Sequence, residues 1–317
     1  MTGNWTVLAS GSGGNASLLQ WNGQGLLLDI GLGPRQLDSR LSEIGFGWNA
    51  VRGVLLTHTH SDHWNARTLA RLAVLRIPFF CHSGHLRPLQ LGCREFQDLQ
   101  FAGLVKMYSP GRDFAPLPGV RCRPLALKHD GGPTFGFRIE AETQDAPPRW
   151  AIGYAADLGS WDERLAEGLA NVDVLAIEFN HDVEMQLASR RARWLINRVL
   201  GEFGHLSNIQ AAKLFEACVR QSAARRLRHL VQLHLSRECN KPALAVAAAR
   251  ELIARLELDL ELHTASQDEP GRPISLNFQN VSGTDTQSGR RRDKETSGTG
   301  DVAGGALLVS PSSGLLF

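Results

Sequence analysis

The apolar run Val54-Leu55-Leu56-Thr57 leads directly into His58-Thr59-His60-Ser61-Asp62-His63. Three imidazoles and a carboxylate within six residues, at the exit of what reads as a buried strand over 51–57, constrain this chain more than any other feature. In 317 residues with 11 histidines, an H-x-H-x-D-H pattern arises by chance about one time in a thousand. Packing and hydration alone would have to satisfy three titratable rings, whereas clustered His and Asp are a ligand set that borderline metals prefer. On an extended segment residues 58 and 60 face one side, and Asp62 and His63 in the turn that follows can address a second point. Four donors this dense exceed what a single catalytic zinc takes from one loop, which points to a two-metal centre. The missing ligands must come from distant strand ends.

Composition bounds what surrounds such a centre. With 43% hydrophobic residues the chain can bury a sizeable core. Lys plus Arg number 34 against 32 acidic residues, so bulk charge does not announce a nucleic-acid binder. The longest uninterrupted apolar run, Ala243 to Ala249, is far short of the roughly 18 residues of a membrane span. The first residues lack a basic region followed by an apolar stretch, so no signal peptide is expected. Five unclustered cysteines (Cys81, Cys93, Cys122, Cys218, Cys239) suit small buried side chains in a reducing cytoplasm better than a disulfide framework. A catalytic domain is expected over 1–265, followed by a low-complexity, disordered tail over 266–317. Ser282 to Asp301 contains no residue able to build a core, and Arg290-Arg291-Arg292 reads as part of a solvated linker.

Short strands with Gly-rich turns open the chain at 5–9, 16–21 and 25–30, with Gly11-Ser12-Gly13-Gly14-Asn15 as the first turn. Further strands are expected at 78–81, 120–127, 135–140, 150–154, 172–179 and 227–235. Helices are expected at 35–44, 65–75, 184–200, 208–221 and 242–256, with Ser207 as an N-cap and Pro242 in a first turn. Two mixed sheets between outer helices accommodate this order, an α+β fold.

Candidates for the missing ligands are His82, His85, His129, Asp130, Asp157, His181, Asp182, His205, His229, His234 and His263. The best follow an apolar strand directly: His129, Asp157 and His234. At this point the chain resembles the metallo-β-lactamase fold, a four-layer αββα sandwich with a dinuclear site along one edge, over about residues 4–262. The resemblance implies that His58, His60 and His129 hold one metal, Asp62, His63 and His234 the other, and that Asp157 bridges them. It also implies that Asp29, in Leu28-Asp29-Ile30-Gly31, is a carboxylate behind the metal histidines. The segments Leu8–Asn15, Lys128-His129-Asp130, Glu178-Phe179-Asn180-His181-Asp182 and Gly204-His205-Leu206-Ser207-Asn208 are similar to the WalJ/YycJ group, regarded as DNA exonuclease-like. His205 also resembles the proton-donating histidine of ribonuclease Z.

Two divalent cations (zinc or manganese, with iron also compatible) can lower the pKa of a bridging water and neutralise a phosphate oxygen. Asp62 is suited to take a proton from that water and His205 to protonate a leaving oxygen, with Glu178 either the partner of His205 or an ordinary surface carboxylate. His181, Asp182 and Asn15 are read as supporting or substrate-contacting residues; the Gly-rich loop of Asn15 could offer amides to phosphate or be an ordinary turn. Arg190, Arg191, Arg193 and Arg198, with Arg220, Arg225, Arg226, Arg228 and Lys213, could form a phosphate track or an ordinary solvated face. The leading expectation is therefore a metal-dependent 5′→3′ exonuclease on single-stranded DNA. An RNA-processing nuclease, a thioesterase or lactonase on the same fold, and a metal-stapled binding module are the alternatives.

Overall fold

In the computed structural model, residues 2–143 and 146–278 are described. The first sheet is built from β1 (Gly3–Ala9), β2 (Ala16–Trp21), β3 (Gln24–Leu28), β4 (Val51–Leu55), β5 (Phe79–His82) and β6 (Val105–Tyr108). The second contains β7 (Phe114–Leu117), β8 (Val120–Leu127), β9 (Thr134–Ala141), β10 (Ala151–Ala155), β11 (Val174–Glu178), β12 (His229–Leu233) and β13 (Glu261–Thr264). A last short strand, β14 (Ile274–Ser275), returns to the edge of the first sheet beside β1. Hydrogen-bonded order runs β14-β1-β2-β3-β4-β5-β6 in one sheet and β13-β12-β11-β10-β9-β8-β7 in the other.

Period-two alternation decides which side chain faces which layer. In β10, Ile152 and Tyr154 point between the sheets while Ala151 and Ala155 point outward; in β12, Val231 and Leu233 point in and Leu230 points out. The inter-sheet core joins Trp5, Leu26, Leu55, Phe137 and Tyr154. Outside the first sheet pack α1 (Pro34–Glu43), α2 (Ala66–Leu75), α3 (Leu86–Gly92) and α4 (Arg94–Phe101), through Leu37, Leu69, Leu89 and Phe96. Outside the second pack α5 (Glu163–Leu169), α8 (Asn208–Arg220) and α9 (Pro242–Arg255), through Leu165, Leu214 and Ala249. The architecture is the αββα sandwich.

Two local signals act as read: Ser207 caps α8 in a reciprocal capping box with Gln210, and Pro242 opens α9. The helix expected over 184–200 is instead two, α6 (Val183–Ala188) and α7 (Arg193–Leu200). Ser189 and Ala192 are extended at the break, and the Ser189 hydroxyl donates back to the Gln186 carbonyl, closing α6.

The folded part also runs past residue 265. The Ser266 carbonyl accepts from Ser10 N, Ile274 pairs with Trp5, and Ile274 and Leu276 are buried against the inter-sheet core. Composition missed this because two apolar residues at alternate positions suffice for an edge strand. The expected disordered stretch 282–301 and the apolar groups at 306–309 and 315–317 lie outside the described residues. Burying Ile274 and Leu276 is worth about 3–6 kcal/mol together. A chain ending at residue 265 is therefore expected to unfold at a clearly lower urea concentration than the full chain, and an unchanged midpoint would contradict this packing.

Candidate metal centre

Strand direction gathers the site. β3, β4, β5 and β6 run parallel to one another, as do β10, β11, β12 and β13, and β8 shares the direction of β10 through the antiparallel β9. Asp29, the 58–63 hexad, His129, Asp157, Glu178 and His234 thus each leave the carboxyl end of β3, β4, β8, β10, β11 or β12. Asp29, Asp157 and His234 turn off their strands with φ of 59°, 60° and 54°. Left-handed backbone at non-glycine residues costs about 1–3 kcal/mol each and survives only where the surroundings impose it. Here the Asp29 amide donates to the Leu55 carbonyl, and the His234 amide to Ser10 Oγ across the two sheets.

His58, His60 and His129 each bring a ligand atom to within 4.8 Å of the others, and Asp62, His63 and His234 form a second such group. His60 Nδ1 and His129 Nε2 are 3.2 Å apart, while the Asp62 carboxylate is 3.7 Å from His63 Nε2 and 3.5 Å from His234 Nε2. Asp157 reaches toward both groups, 3.0 Å from His63 and 3.0 Å from His234, with His129 at 4.0 Å. The distant residues 129, 157 and 234 therefore do converge on the hexad. Three buried atoms in this space, His58 Nε2, His234 Nε2 and Asp157 Oδ2, make no aligned hydrogen bond. Unpartnered buried nitrogen and oxygen atoms at the meeting point of five imidazoles and two carboxylates fit divalent cations.

The outer atoms of these rings are held. Asp29 sits 2.7 Å from His63 Nδ1 and accepts from the Thr57 amide and hydroxyl, and that hydroxyl also lies 3.0 Å from His58 Nδ1. The Gly204 carbonyl is 2.9 Å from His129 Nδ1. Glu178 Oε1 is 2.7 Å from His205 Nδ1 and 3.0 Å from His234 Nδ1, and Oε2 accepts from the Leu158 and Leu206 amides. Such partners set ring orientation and tautomer. Together they form an alternating chain, Asp29–His63–Asp157–His234–Glu178–His205, that crosses from one sheet to the other.

Electrostatics follow from that alternation. Burial pushes the Asp157 carboxyl up, but His234 and His63 more than reverse this and hold it well below the usual range. Glu178 is likewise raised by burial yet brought down to about 2 by His205 and His234. Burial lowers His63 and His234, but Asp29 and Asp157 around the first, and Asp157, Asp62 and Glu178 around the second, raise both well above the ordinary imidazole value. His58 is driven well down by burial and by the neighbouring His63.

Other sequence candidates lie elsewhere or serve the scaffold. Asn15 is buried, its amide nitrogen 3.0 Å from His63 Nε2 and also donating to Gly11, the Asp62 carbonyl and Asp62 Oδ2, so it braces the hexad loop rather than offering donors to a phosphate. Asp182 caps α6 through the Met185 amide. His181 is fully buried with neither ring nitrogen hydrogen-bonded, and burial pushes it down to about 4. His82 and His85 pack by Tyr108 and Phe135, with His85 Nε2 2.7 Å from the Pro133 carbonyl. Gln232, which precedes His234 on the outward face of β12, donates to the Ala245 carbonyl and accepts from Thr264, away from the centre.

Arg226 pairs with Asp173, just before the amino end of β11, so the 220–228 arginines gather at the opposite end of the strand from Glu178. At the mouth instead stands Arg198, clamped on Asp130, whose carboxylate is 3.6 Å from His129 and 3.7 Å from His60. The exposed Trp194 shares α7 with Arg198, and the exposed Phe203 accepts from the Asp130 amide through its carbonyl. Thr57, Ser10 and Gly131 acquire roles that the sequence did not reveal. A Cβ on Gly131 would lie 2.3 Å from His58 Cδ2, so only glycine admits that ring.

The chain belongs to the β-lactamase superfamily, whose domain model matches residues 26–229, a family of metal-dependent hydrolases, and the described residues include His/Asp groups able to hold metal. Among individual relatives, it is 27% identical over 274 residues to exodeoxyribonuclease WalJ of Streptococcus pneumoniae, covering 83% of this chain and 94% of that one. It is 24% identical to exodeoxyribonuclease YycJ of Bacillus anthracis, over 87% and 98% of the two chains. Its fold is shared with the metallo-β-lactamase fold protein YhfI of Bacillus subtilis (TM-score 0.61, 16% identity, 87% and 100% covered) and with the short form of human tRNase Z (TM-score 0.52, 18%, 85% and 98%).

Gly131→Ala is expected to displace His58 and weaken metal retention at least ten-fold, checked by metal content after dialysis. Protonation gives a second test. His63 and His234, raised well above the ordinary imidazole value by the carboxylates around them, must shed any proton they hold to become ligands, so metal binding releases protons and affinity rises with pH. A competitive chelator titration between pH 6 and 8 reads this directly; a flat affinity would exclude those rings as ligands.

Proposed function

We propose that the chain is a metal-dependent nuclease, acting as a 5′→3′ exonuclease on single-stranded DNA. The reading is carried by the buried Glu178 carboxylate, which joins His205 at the rim to His234 inside the centre. A proton-handling group fixed beside a metal-ligand cluster suits phosphodiester hydrolysis, where a water must lose a proton and a leaving alkoxide must gain one. The names of the WalJ and YycJ relatives supply the substrate class.

His58, His60 and His129 would hold one divalent cation, Asp62, His63 and His234 a second, with Asp157 between them. Zinc and manganese both suit an imidazole–carboxylate set without thiolate, as does iron. When bound, the ions supply Lewis acidity that activates water near neutral pH and offsets charge on the phosphate. Asp62, partly exposed where the hexad turns, takes the proton of the attacking water. His205, only partly buried, delivers a proton to the leaving 3′-oxygen, and Glu178 keeps its Nδ1 turned inward so that Nε2 faces substrate. Asp29 steadies His63 through Nδ1, and Nε2, which lies 3.0 Å from Asp157, is the atom that would take the cation. Arg198, paired with Asp130 at the mouth, would exchange that carboxylate for an incoming phosphate, and the exposed Trp194 and Phe203 nearby offer faces for unpaired bases. Among the described residues no helix is long and apolar enough to cross a membrane.

The Arg198 site favours a polyanion over the acyl-glutathione or lactone of the alternative hydrolases. End-labelled single-stranded oligonucleotides are expected to release mononucleotides from the 5′ end, with EDTA abolishing release. Asp62→Asn and His205→Ala should each lower kcat about 10²-fold or more, with circular dichroism unchanged. Turnover of acyl-glutathione with inert DNA would replace this reading by the thioesterase one.

A further inference from the structure

Away from the centre, one more group of metal-capable side chains gathers among the described residues: His229, Glu261 and His263. Strand register creates it. In the parallel pair β12–β13, His229 lies opposite Glu261 and Val231 opposite His263. Common parity turns all three toward the face that carries Val231 between the sheets, whereas Leu230 and Leu262 join the core beneath the helices. β13 ends one sheet and β14 ends the other, and the cleft at these edges is lined by His229, Glu261, His263, Arg272 and Asn277. Phe278 covers one side, its ring 5.9 Å from that of His229. His229 begins the strand that His234 follows, so this cluster is about 16 Å from the hydrolytic centre.

The geometry suits a cation. His229 Nδ1 and His263 Nε2 are 3.0 Å apart, and Glu261 Oε2 is 3.7 Å from each. Two nitrogens on a tetrahedral zinc with bonds of about 2.0–2.1 Å are separated by about 3.3 Å, so a small opening of this triangle admits the ion. Burial, reinforced at His229 by the facing His263, lowers both imidazoles, so both are neutral at pH 7 and need lose no proton to ligate. A histidine–histidine hydrogen bond uses one lone pair and leaves Glu261 beyond hydrogen-bonding range of either ring; a cation engages all three groups.

We propose that His229, Glu261 and His263 form a peripheral site for a divalent transition metal, zinc by its two-nitrogen, one-oxygen donor set, with its remaining coordination open to the cleft. Such an ion fastens β13 to β12 beneath residues 272–278 and takes no part in hydrolysis. The test is zinc per chain, by elemental analysis of the full-length protein equilibrated at micromolar free zinc. His263→Gln is expected to carry one ion fewer than the unaltered chain, whatever the occupancy of the hydrolytic centre, with DNA hydrolysis unchanged. Glu261→Gln, at a mostly exposed side chain, keeps the fold and is expected to weaken that one ion at least ten-fold in a zinc titration. Equal zinc in the unaltered chain and His263→Gln, with no weakening in Glu261→Gln, overturns the site and leaves a hydrogen-bonded histidine pair. Should His263→Gln not fold, the Glu261→Gln titration decides alone: a ten-fold loss supports the site and an unchanged affinity overturns it.

Discussion

Three carboxylates with almost no solvent exposure, Asp29, Asp157 and Glu178, share one small volume, and everything around the centre follows from keeping them charged there. An ionised carboxylate moved from water into protein costs several kcal/mol unless it is paired and hydrogen-bonded. Each is therefore set between imidazoles and further donors, and the resulting series of alternating charge fixes which nitrogen of each ring points inward. Removing one member leaves its neighbours buried and uncompensated, a loss of about 3–5 kcal/mol in comparable pairs. The same rows of groups, turned inward by their partners, leave the opposite atoms of His58, His234 and Asp157 without hydrogen bonds, which makes the space between them hospitable to cations.

Much of this was legible because parallel strands put chemistry at one end. An apolar run that stops at His or Asp marks the carboxyl end of a buried strand, and His58, His129, Asp157 and His234 all carry that mark. For Glu178 the sequence left a partner of His205 and an ordinary surface carboxylate equally open; it is buried and bonded to His205. Harder to read were groups whose role is set by cross-chain contact alone. Nothing in the sequence near Ser10 says that its hydroxyl receives the amide of His234, 224 residues away. Gly131 looks like an ordinary turn glycine until a ring is found against it. For Asn15 the sequence left a supporting and a phosphate-binding role open, and its side chain contacts Asp62 and His63 behind the centre.

Charge was the least legible property. The sequence left the arginines as either a phosphate track or a solvated face; β11 separates the 220–228 group from the mouth of the centre, and Arg191 and Arg220 are paired with the local carboxylates Glu238 and Glu216. Position along a strand, rather than spacing along the chain, decides which cations can meet a substrate. The edge strand β14 escaped notice for a related reason, because the partner that defines it, β1, stands at the other end of the sequence.

The chain order of the ligands has a consequence for biosynthesis. His58 emerges from the ribosome early, but His234 and the Ser10 hydroxyl that holds its amide belong to opposite ends of the folded part. Every shorter nascent chain lacks one wall of the ion-binding space. Assembly of the centre is thus withheld until nearly the whole domain has been translated.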